Sequence, residues 1–172
     1  LRRAAEPEGW RAGWYAVENA WAATLHRAAT MPDSTVDASV AGEWSLAQTL
    51  RHLVMATDTW LGRAVFELEN PYHPAGLPHD DSDTAAYDPA VFSQPHPSWD
   101  DVLAARAGRQ QMVRDFLATV TTAELGQTRR NPHAPAHPET VLSCVPTLLE
   151  EAWAPLRYPV RNLDLLPSGS AG

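Results

Sequence analysis

The sequence contains no lysine and no isoleucine, and it has a single cysteine, Cys144. All 13 basic residues are arginines. We interpret these absences as the codon usage of a very GC-rich genome and not as a feature of the chemistry. One cysteine excludes a disulfide within the chain, so we expect a reducing, cytoplasmic location.

Long apolar runs and basic clusters are also missing. No apolar run approaches the roughly 20 residues that span a bilayer, and the N-terminal LRRAAEPEGW lacks the apolar core of a signal peptide. The net charge of -8 without a basic block argues against a nucleic-acid partner. We therefore expect a small-molecule substrate, no nucleic acid and no membrane, with a homodimer left open.

The remaining composition is typical of a globular protein, with 44% hydrophobic and 20% charged residues among 172. This length suits one domain with a sizeable core. We assign residues 1–167 to a single domain and residues 168–172 to a flexible tail. The first residue is not Met, which suggests a trimmed chain.

Helical periodicity dominates the chain, and no alternating β pattern of useful length is present. The first helix is predicted from about Trp10 to Thr30. The second begins at the capping box Ser45–Gln48 and carries an apolar stripe as far as Leu68, where Asn70-Pro71 ends it. A long connection rich in Pro, His and Asp follows, of a length typical of binding lids or disorder.

A third helix is predicted from the cap Ser98 to Val120, followed by a capping box at Thr121–Glu124 on a short helix. A fourth runs from about Pro138 to Leu166, although it contains three prolines that each remove a helical donor, at a cost of about 3 kcal/mol. We expect an all-α fold, an antiparallel four-helix bundle with a long crossover connection between helices two and three.

Two segments, EWSLAQTLRHLVMATDTWLGRAV from residue 43 and LLEEAWAPLRYPVRNLDLL from residue 148, resemble the DinB-like superfamily. This superfamily includes the mycothiol-dependent maleylpyruvate isomerases and other thiol-dependent S-transferases of actinobacteria. An actinobacterial source would agree with the composition. The resemblance implies a four-helix bundle that holds a divalent metal, often zinc or nickel, through three side chains near one end.

The resemblance places those three ligands at His52, at Glu151 and at position 155. Position 155 is proline, which has no donor atom, so the implied metal site is degraded. Catalytic zinc normally has three protein ligands and a water. We therefore expect no cofactor. A weak zinc or nickel site and a mycothiol co-substrate stay open, with loop histidines as replacement ligands: His73, His79, His133 and His137.

The residues also suggest chemistry without a metal. Cys144, Glu151 and Tyr158 are spaced by seven and share one helix face. We predict His52 and Glu151 as a general acid/base pair and Tyr158 as a donor to an oxyanion. Substrate binding is assigned to a second set: Trp60, Cys144 and Arg157.

Structural roles for the same residues remain open. His52 could be a histidine at the bundle edge, and Glu151 could be solvated beside Glu150. Cys144 could be a small buried hydrophobe. Arg157, Arg161 and Asp164 are spaced as a salt-bridge ladder, and Asp58 is expected to pair with an arginine.

Three functions are therefore considered. The first is a metal-independent enzyme that isomerises, cyclises or eliminates a small molecule near His52 and Glu151, in specialised metabolism. The second is a metal-dependent, mycothiol-type S-transferase or isomerase. The third is a protein without enzymatic activity that binds a small ligand or a partner.

Overall fold

The fold is mostly helical, as the sequence predicts. The computed structural model describes residues 7–79 and 87–168, so part of the long second connection and residues 169–172 of the predicted tail lie outside it. The α-helices are α1 (Pro7–Ala29), α2 (Leu46–Thr57), α3 (Trp99–Thr119), α4 (Thr122–Leu125), α5 (Val141–Trp153) and α6 (Arg157–Leu165). A π-helix, Asp58–Val65, continues α2, and 3₁₀ turns span Asp33–Asp37, Pro89–Val91 and Ala154–Leu156. Among the described residues, no helix is long and apolar enough to cross a membrane.

Three predicted helix starts are confirmed, two of them predicted from capping boxes and one from the cap Ser98. At each start, the cap side chain accepts the backbone N–H three residues later, and the side chain of that residue accepts the backbone N–H of the cap. These reciprocal bonds satisfy donors that the first helical turn leaves unpaired. The pairs are Ser45 with Gln48, Ser98 with Asp101, and Thr121 with Glu124.

Two predicted helix boundaries are wrong. The second helix ends at Val65 and does not reach Asn70. The chain leaves the helix because Glu67 adopts a positive φ of 56°, a conformation that ends helices. Leu68 therefore lies outside the apolar stripe and is 48% exposed.

The fourth helix begins later than predicted, because the residues before it form a short sheet. Strand β1 (Thr128–Arg130) pairs antiparallel with β2 (Pro138–Thr140), in a register that places Arg129 opposite Glu139. Thr140 then caps α5. Three-residue strands are too short for an alternating pattern to reveal, and Pro138 therefore belongs to a strand and not to the helix.

Helix packing sets the place of the candidate site. Helix α1 packs against α3 and α5, and α2 also packs against α3 and α5. The buried centre contains two of the tryptophans, Trp14 and Trp21, together with the leucines and valines of α2 and α5. Because α2 and α5 are neighbours, a polar side chain of α2 can meet a polar side chain of α5 where this contact reaches the protein surface.

The helical pattern around the three prolines is retained, as predicted, but the helix is interrupted at Pro155 while Pro159 lies within a helix. Helix α5 ends at Trp153, a 3₁₀ turn contains Pro155, and α6 continues to Leu165. Proline has no N–H to donate to the carbonyl four residues earlier, so backbone carbonyls at the break lack a helical hydrogen-bond donor. The buried Trp21 donates its indole N–H to the carbonyl of Ala152 at 2.7 Å, which ties the break to α1.

Candidate active site

His52 and Glu151 are brought together across the contact between α2 and α5. The Nε2 atom of His52 lies 3.6 Å from Oε2 of Glu151, and the two side chains are 16% and 39% exposed. The Nδ1 atom of His52 is 3.2 Å from the carbonyl oxygen of Leu77. A carbonyl can only accept, so Nδ1 carries a proton, and Nε2 is the ring nitrogen that faces Glu151.

Two adjoining pockets meet at His52. The larger one, about 410 Å³, is lined by Gly42, Glu43, Trp44, Thr49, His52, His79, Pro155 and Tyr158. The smaller one, about 240 Å³, is lined by His52, Met55, Ala56, Thr59, Trp60, His79, His133 and Glu151. His52 and His79 line both, so the imidazole ring of His52 is part of the boundary between them.

Aromatic rings hold this boundary in place. The ring of Trp44 lies 5.0 Å from that of His52 and 5.4 Å from that of His79, and the two imidazoles are 6.3 Å apart. In the smaller pocket, Trp60 makes an edge contact with His133 at 5.6 Å. Trp44 was not predicted as a site residue, although it directly precedes the Ser45 cap and therefore lies at the N-terminal end of α2.

The π-helix positions the pocket residues of α2. Its wider turn shifts the residues after Thr57 relative to an α-helix, and Thr59 and Trp60 line the smaller pocket. Asp58, the first residue of the π-helix, has no exposed surface and forms a two-pronged pair with Arg109, at 2.7 and 3.1 Å. The predicted pairing of Asp58 with an arginine is therefore confirmed.

The charge of Asp58 is balanced inside the protein. Burial raises the pKa of its carboxyl, while the hydrogen bonds from Arg109 and the backbone N–H of His73 act in the opposite direction. His73 in turn accepts the backbone N–H of Ala75 through Nδ1. Asp58 therefore fixes the loop that carries Leu77 and His79, and it lines neither pocket.

Tyr158 lines the larger pocket, and two guanidinium groups lie close to its ring. The carbon at the centre of the Arg157 guanidinium is 4.8 Å from the ring centre of Tyr158, and that of Arg161 is 5.7 Å away. Arg157 donates to the Tyr158 hydroxyl at 2.9 Å. The predicted ladder is wrong in its partners, since Arg161 pairs with Glu43 and Asp164 pairs with Arg27 at 2.7 Å.

Cys144 does not lie at the site, so its assignment to substrate binding is corrected. The side chain is 1% exposed, belongs to the hydrophobic core and lines neither pocket. Burial raises the pKa of the thiol to about 11. The seven-residue spacing places Cys144 on the same side of the helix as Glu151, but two turns deeper in the protein. The alternative reading, a small buried hydrophobe, is confirmed.

The donor set does not fit the divalent metal that the resemblance implies. His52 and Glu151 supply two ligands, and Pro155, in the larger pocket, supplies none. Within residues 7–79 and 87–168, no group of three His, Cys, Asp or Glu side chains could hold a metal ion. Of the loop histidines, His79 and His133 line the smaller pocket, whereas His73 and His137 do not.

The fold and site together define a helical protein with a histidine–carboxylate pair at the junction of two pockets. The profile of the DinB superfamily matches residues 16–154, which covers both α2 and α5. The chain therefore belongs to the DinB superfamily. No curated protein and no solved structure shows a significant match to it.

Proposed function

We propose that this protein is an enzyme that moves a proton on a small molecule without a metal, using His52 and Glu151 on a DinB-type antiparallel four-helix bundle. One observation carries this proposal. The Leu77 carbonyl holds a proton at Nδ1 of His52, so in the neutral ring Nε2 is the base, beside a carboxylate and at the wall of two pockets. Isomerisation, cyclisation and elimination all require such a base.

The reaction would begin when Nε2 of His52 takes a proton from the substrate. The resulting imidazolium is stabilised by the charge of Glu151, and the Leu77 carbonyl keeps the ring oriented. The separation of 3.6 Å exceeds an ordinary hydrogen bond, which leaves the lone pair of Nε2 accessible to a substrate. Returning the proton to another substrate atom completes an isomerisation, and delivering it to a leaving group completes an elimination.

Tyr158 is suited to stabilise negative charge that develops on a substrate oxygen. Its hydroxyl oxygen accepts a hydrogen bond from Arg157, so the hydroxyl proton is left to donate to the substrate. Arg157 also makes the hydroxyl a stronger donor, because a cation withdraws electron density from it. Trp60 would form the apolar wall of the smaller pocket.

The competing functions differ in what supports them. The two pockets at His52 also suit a protein that binds a small ligand without transforming it. A metal-dependent transferase would require a third ligand beside His52 and Glu151, and no such group of three is found among the described residues. The His–Glu geometry favours catalysis over simple binding, since apolar binding alone does not require a base with a fixed tautomer.

Proton exchange with solvent provides the test. A library of small carbonyl compounds and unsaturated acids is incubated with the protein in D₂O, and deuterium incorporation is followed by NMR. We expect exchange into at least one compound, reduced at least 100-fold in His52→Gln and in Glu151→Gln, in the range of general acid/base contributions. His26→Gln and Glu150→Gln are matched controls, because both residues lie on helices and line neither pocket.

Equal exchange in His52→Gln and the wild-type protein would refute the assignment of the base. The tautomer supplies a check that needs no substrate: ¹⁵N NMR of neutral His52 should show the proton on Nδ1. A proton on Nε2 would mean that the lone pair points to the Leu77 carbonyl, and the proposed base would then be unavailable.

A further inference from the structure

The two pockets at His52 differ in which site residues they contain. Glu151 lines only the smaller pocket, and Trp44 and Tyr158 line only the larger one. If the substrate gives its proton to Nε2 of His52 beside Glu151, the reacting atoms belong in the smaller pocket. The larger pocket is then available for the rest of the substrate, including the oxygen to which the Tyr158 hydroxyl donates.

The smaller pocket limits the reacting part to a compact group. Its volume of about 240 Å³ lies below the usual range for a drug-sized ligand, which begins at roughly 300 Å³. The larger pocket, at about 410 Å³, falls within that range. A substrate that fills both therefore has a small reactive end and a bulkier end.

The walls of the larger pocket favour a flat group. Trp44 and Tyr158 contribute aromatic rings, and Pro155 contributes an apolar ring that cannot donate a hydrogen bond. Aromatic side chains prefer stacked or edge-on contacts with other π systems. A conjugated or aromatic group matches this lining better than a flexible polar one.

The charges around Tyr158 favour an acid over an amine. Arg161 is neutralised by Glu43, but among the described residues no carboxylate lies within ion-pair distance of Arg157. Arg157 is exposed and is held at the Tyr158 hydroxyl. Both guanidinium groups already lie against the Tyr158 ring, so an ammonium group there would meet like charge. A carboxylate would pair with the planar guanidinium of Arg157.

From these observations we infer that the substrate is a planar, conjugated or aromatic carboxylate: its flat part occupies the larger pocket between Trp44 and Tyr158, its carboxylate pairs with Arg157, and its reacting group enters the smaller pocket beside His52 and Glu151. This inference rests on the proposed proton-transfer function for the position of the reacting group. The recognition of a flat acid rests only on the larger pocket and Arg157.

Three related probes test the recognition: trans-cinnamate, the neutral isostere trans-cinnamamide, and the cation trimethylphenylammonium. We expect titration calorimetry to give an affinity for cinnamate at least tenfold higher than for either of the others. Arg157→Gln should weaken cinnamate binding at least fivefold and leave cinnamamide binding unchanged. Trp44→Ala should weaken binding of both.

Matched controls separate the site from general effects. Arg130→Gln removes another exposed arginine that lies outside the larger pocket, and Trp153→Ala removes a tryptophan that is 53% exposed. Neither should change cinnamate affinity by more than twofold. Thermal unfolding of each variant verifies that it is folded before binding is measured.

Equal affinity for cinnamate and cinnamamide, or no effect of Arg157→Gln, would overturn the inference. Tighter binding of the ammonium probe would overturn it in favour of a cationic substrate. These outcomes are distinct from failure of the proposed function. Exchange that depends on His52, without preference for the carboxylate, would refute only the substrate class. Preference for cinnamate that depends on Arg157, without any exchange, would refute only the catalysis.

Discussion

Replacing the buried arginine of α3, Arg106→Met, is expected to stabilise the protein. Arg106 is 2% exposed, and its Nε and Nη2 atoms have no acceptor among the described residues. Its Nη1 atom reaches the hydroxyl of Thr57 only at 3.5 Å. The guanidinium lies over the ring of Trp14, at 5.9 Å. This position costs free energy because a charge buried without a partner loses its hydration.

The magnitude follows from the pKa. Burial lowers the pKa of Arg106 well below the ordinary value for arginine, to about 10. Each pKa unit corresponds to about 1.4 kcal/mol, so the charged form is disfavoured by about 3 kcal/mol in the folded protein. The cation–π contact with Trp14 offsets about 1 kcal/mol. Methionine keeps the apolar stem and removes the charge, so we expect a net stabilisation of about 1–2 kcal/mol.

The lowered pKa also determines how the stability gain from Arg106→Met depends on pH. The folded protein releases this proton more easily than the unfolded chain does, so the penalty on the charged form is fully present below pH 10 and is relieved only above it. The gain from Arg106→Met should therefore be constant between pH 6 and 9. Urea unfolding at several pH values measures it, and thermal unfolding should show a rise of roughly 2–8 °C in Tm.

Arg114→Met is the matched control, because Arg114 lies on the same helix but is exposed and paired with Glu18 at 2.5 Å. Its loss should change stability by less than about 1 kcal/mol. If Arg106→Met instead destabilises the protein by more than 1 kcal/mol, burial of the Arg106 charge does not carry the expected net cost. The guanidinium would then gain more from its surroundings than desolvation costs.

Three further changes have expected outcomes. Trp21→Phe leaves the buried carbonyl of Ala152 without its donor, and should lower the free energy of unfolding in urea by about 2–3 kcal/mol; a loss below 0.5 kcal/mol would contradict this role. Gly62→Ala places a Cβ 2.6 Å from the Cβ of Pro71 and should therefore lower Tm. Gly108→Ala is the contrasting change, because Gly108 lies in α3 with open space around the added Cβ. It should raise the free energy of unfolding by about 0.5–1 kcal/mol. Burial raises the pKa of the Cys144 thiol to about 11. The thiol should therefore resist Ellman's reagent at pH 8 in the folded protein and react fully in denaturant. Because the folded state holds this proton more tightly than the unfolded chain, the free energy of unfolding should fall as pH rises from 9 to 11.

Local signals in the sequence were sufficient for the starts of α2, α3 and α4, because a capping box is complete within four residues. Features that depend on tertiary contacts were not predicted. The π-helix after Thr57 spans two turns, too few for its period to differ visibly from that of an α-helix. Strand β2 forms only because Thr128–Arg130 lies beside it. The apolar stripe as far as Leu68 looked continuous, since periodicity does not record the positive φ at Glu67.

The candidate site was likewise predicted from the sequence only in part. His52 and Glu151 were found through the family motif, and the contact between α2 and α5 brings them together. The Leu77 carbonyl that fixes the tautomer belongs to the backbone of a loop, so no side-chain pattern could reveal it. Cys144 was misplaced because heptad spacing reports the face of a helix but not the depth of a residue within the protein.

Pro155 connects the degraded metal site with the proposed chemistry. The family resemblance implies a metal ligand at this position, whereas proline lines the larger pocket with an apolar ring. The same ring breaks the helix, and the 3₁₀ turn that results leads directly into Arg157 and Tyr158. One residue therefore removes the metal ligand and shapes the pocket that we assign to the flat part of the substrate. His52 keeps the Glu151 carboxylate beside it, so the proposed proton transfer does not depend on a ligand at position 155.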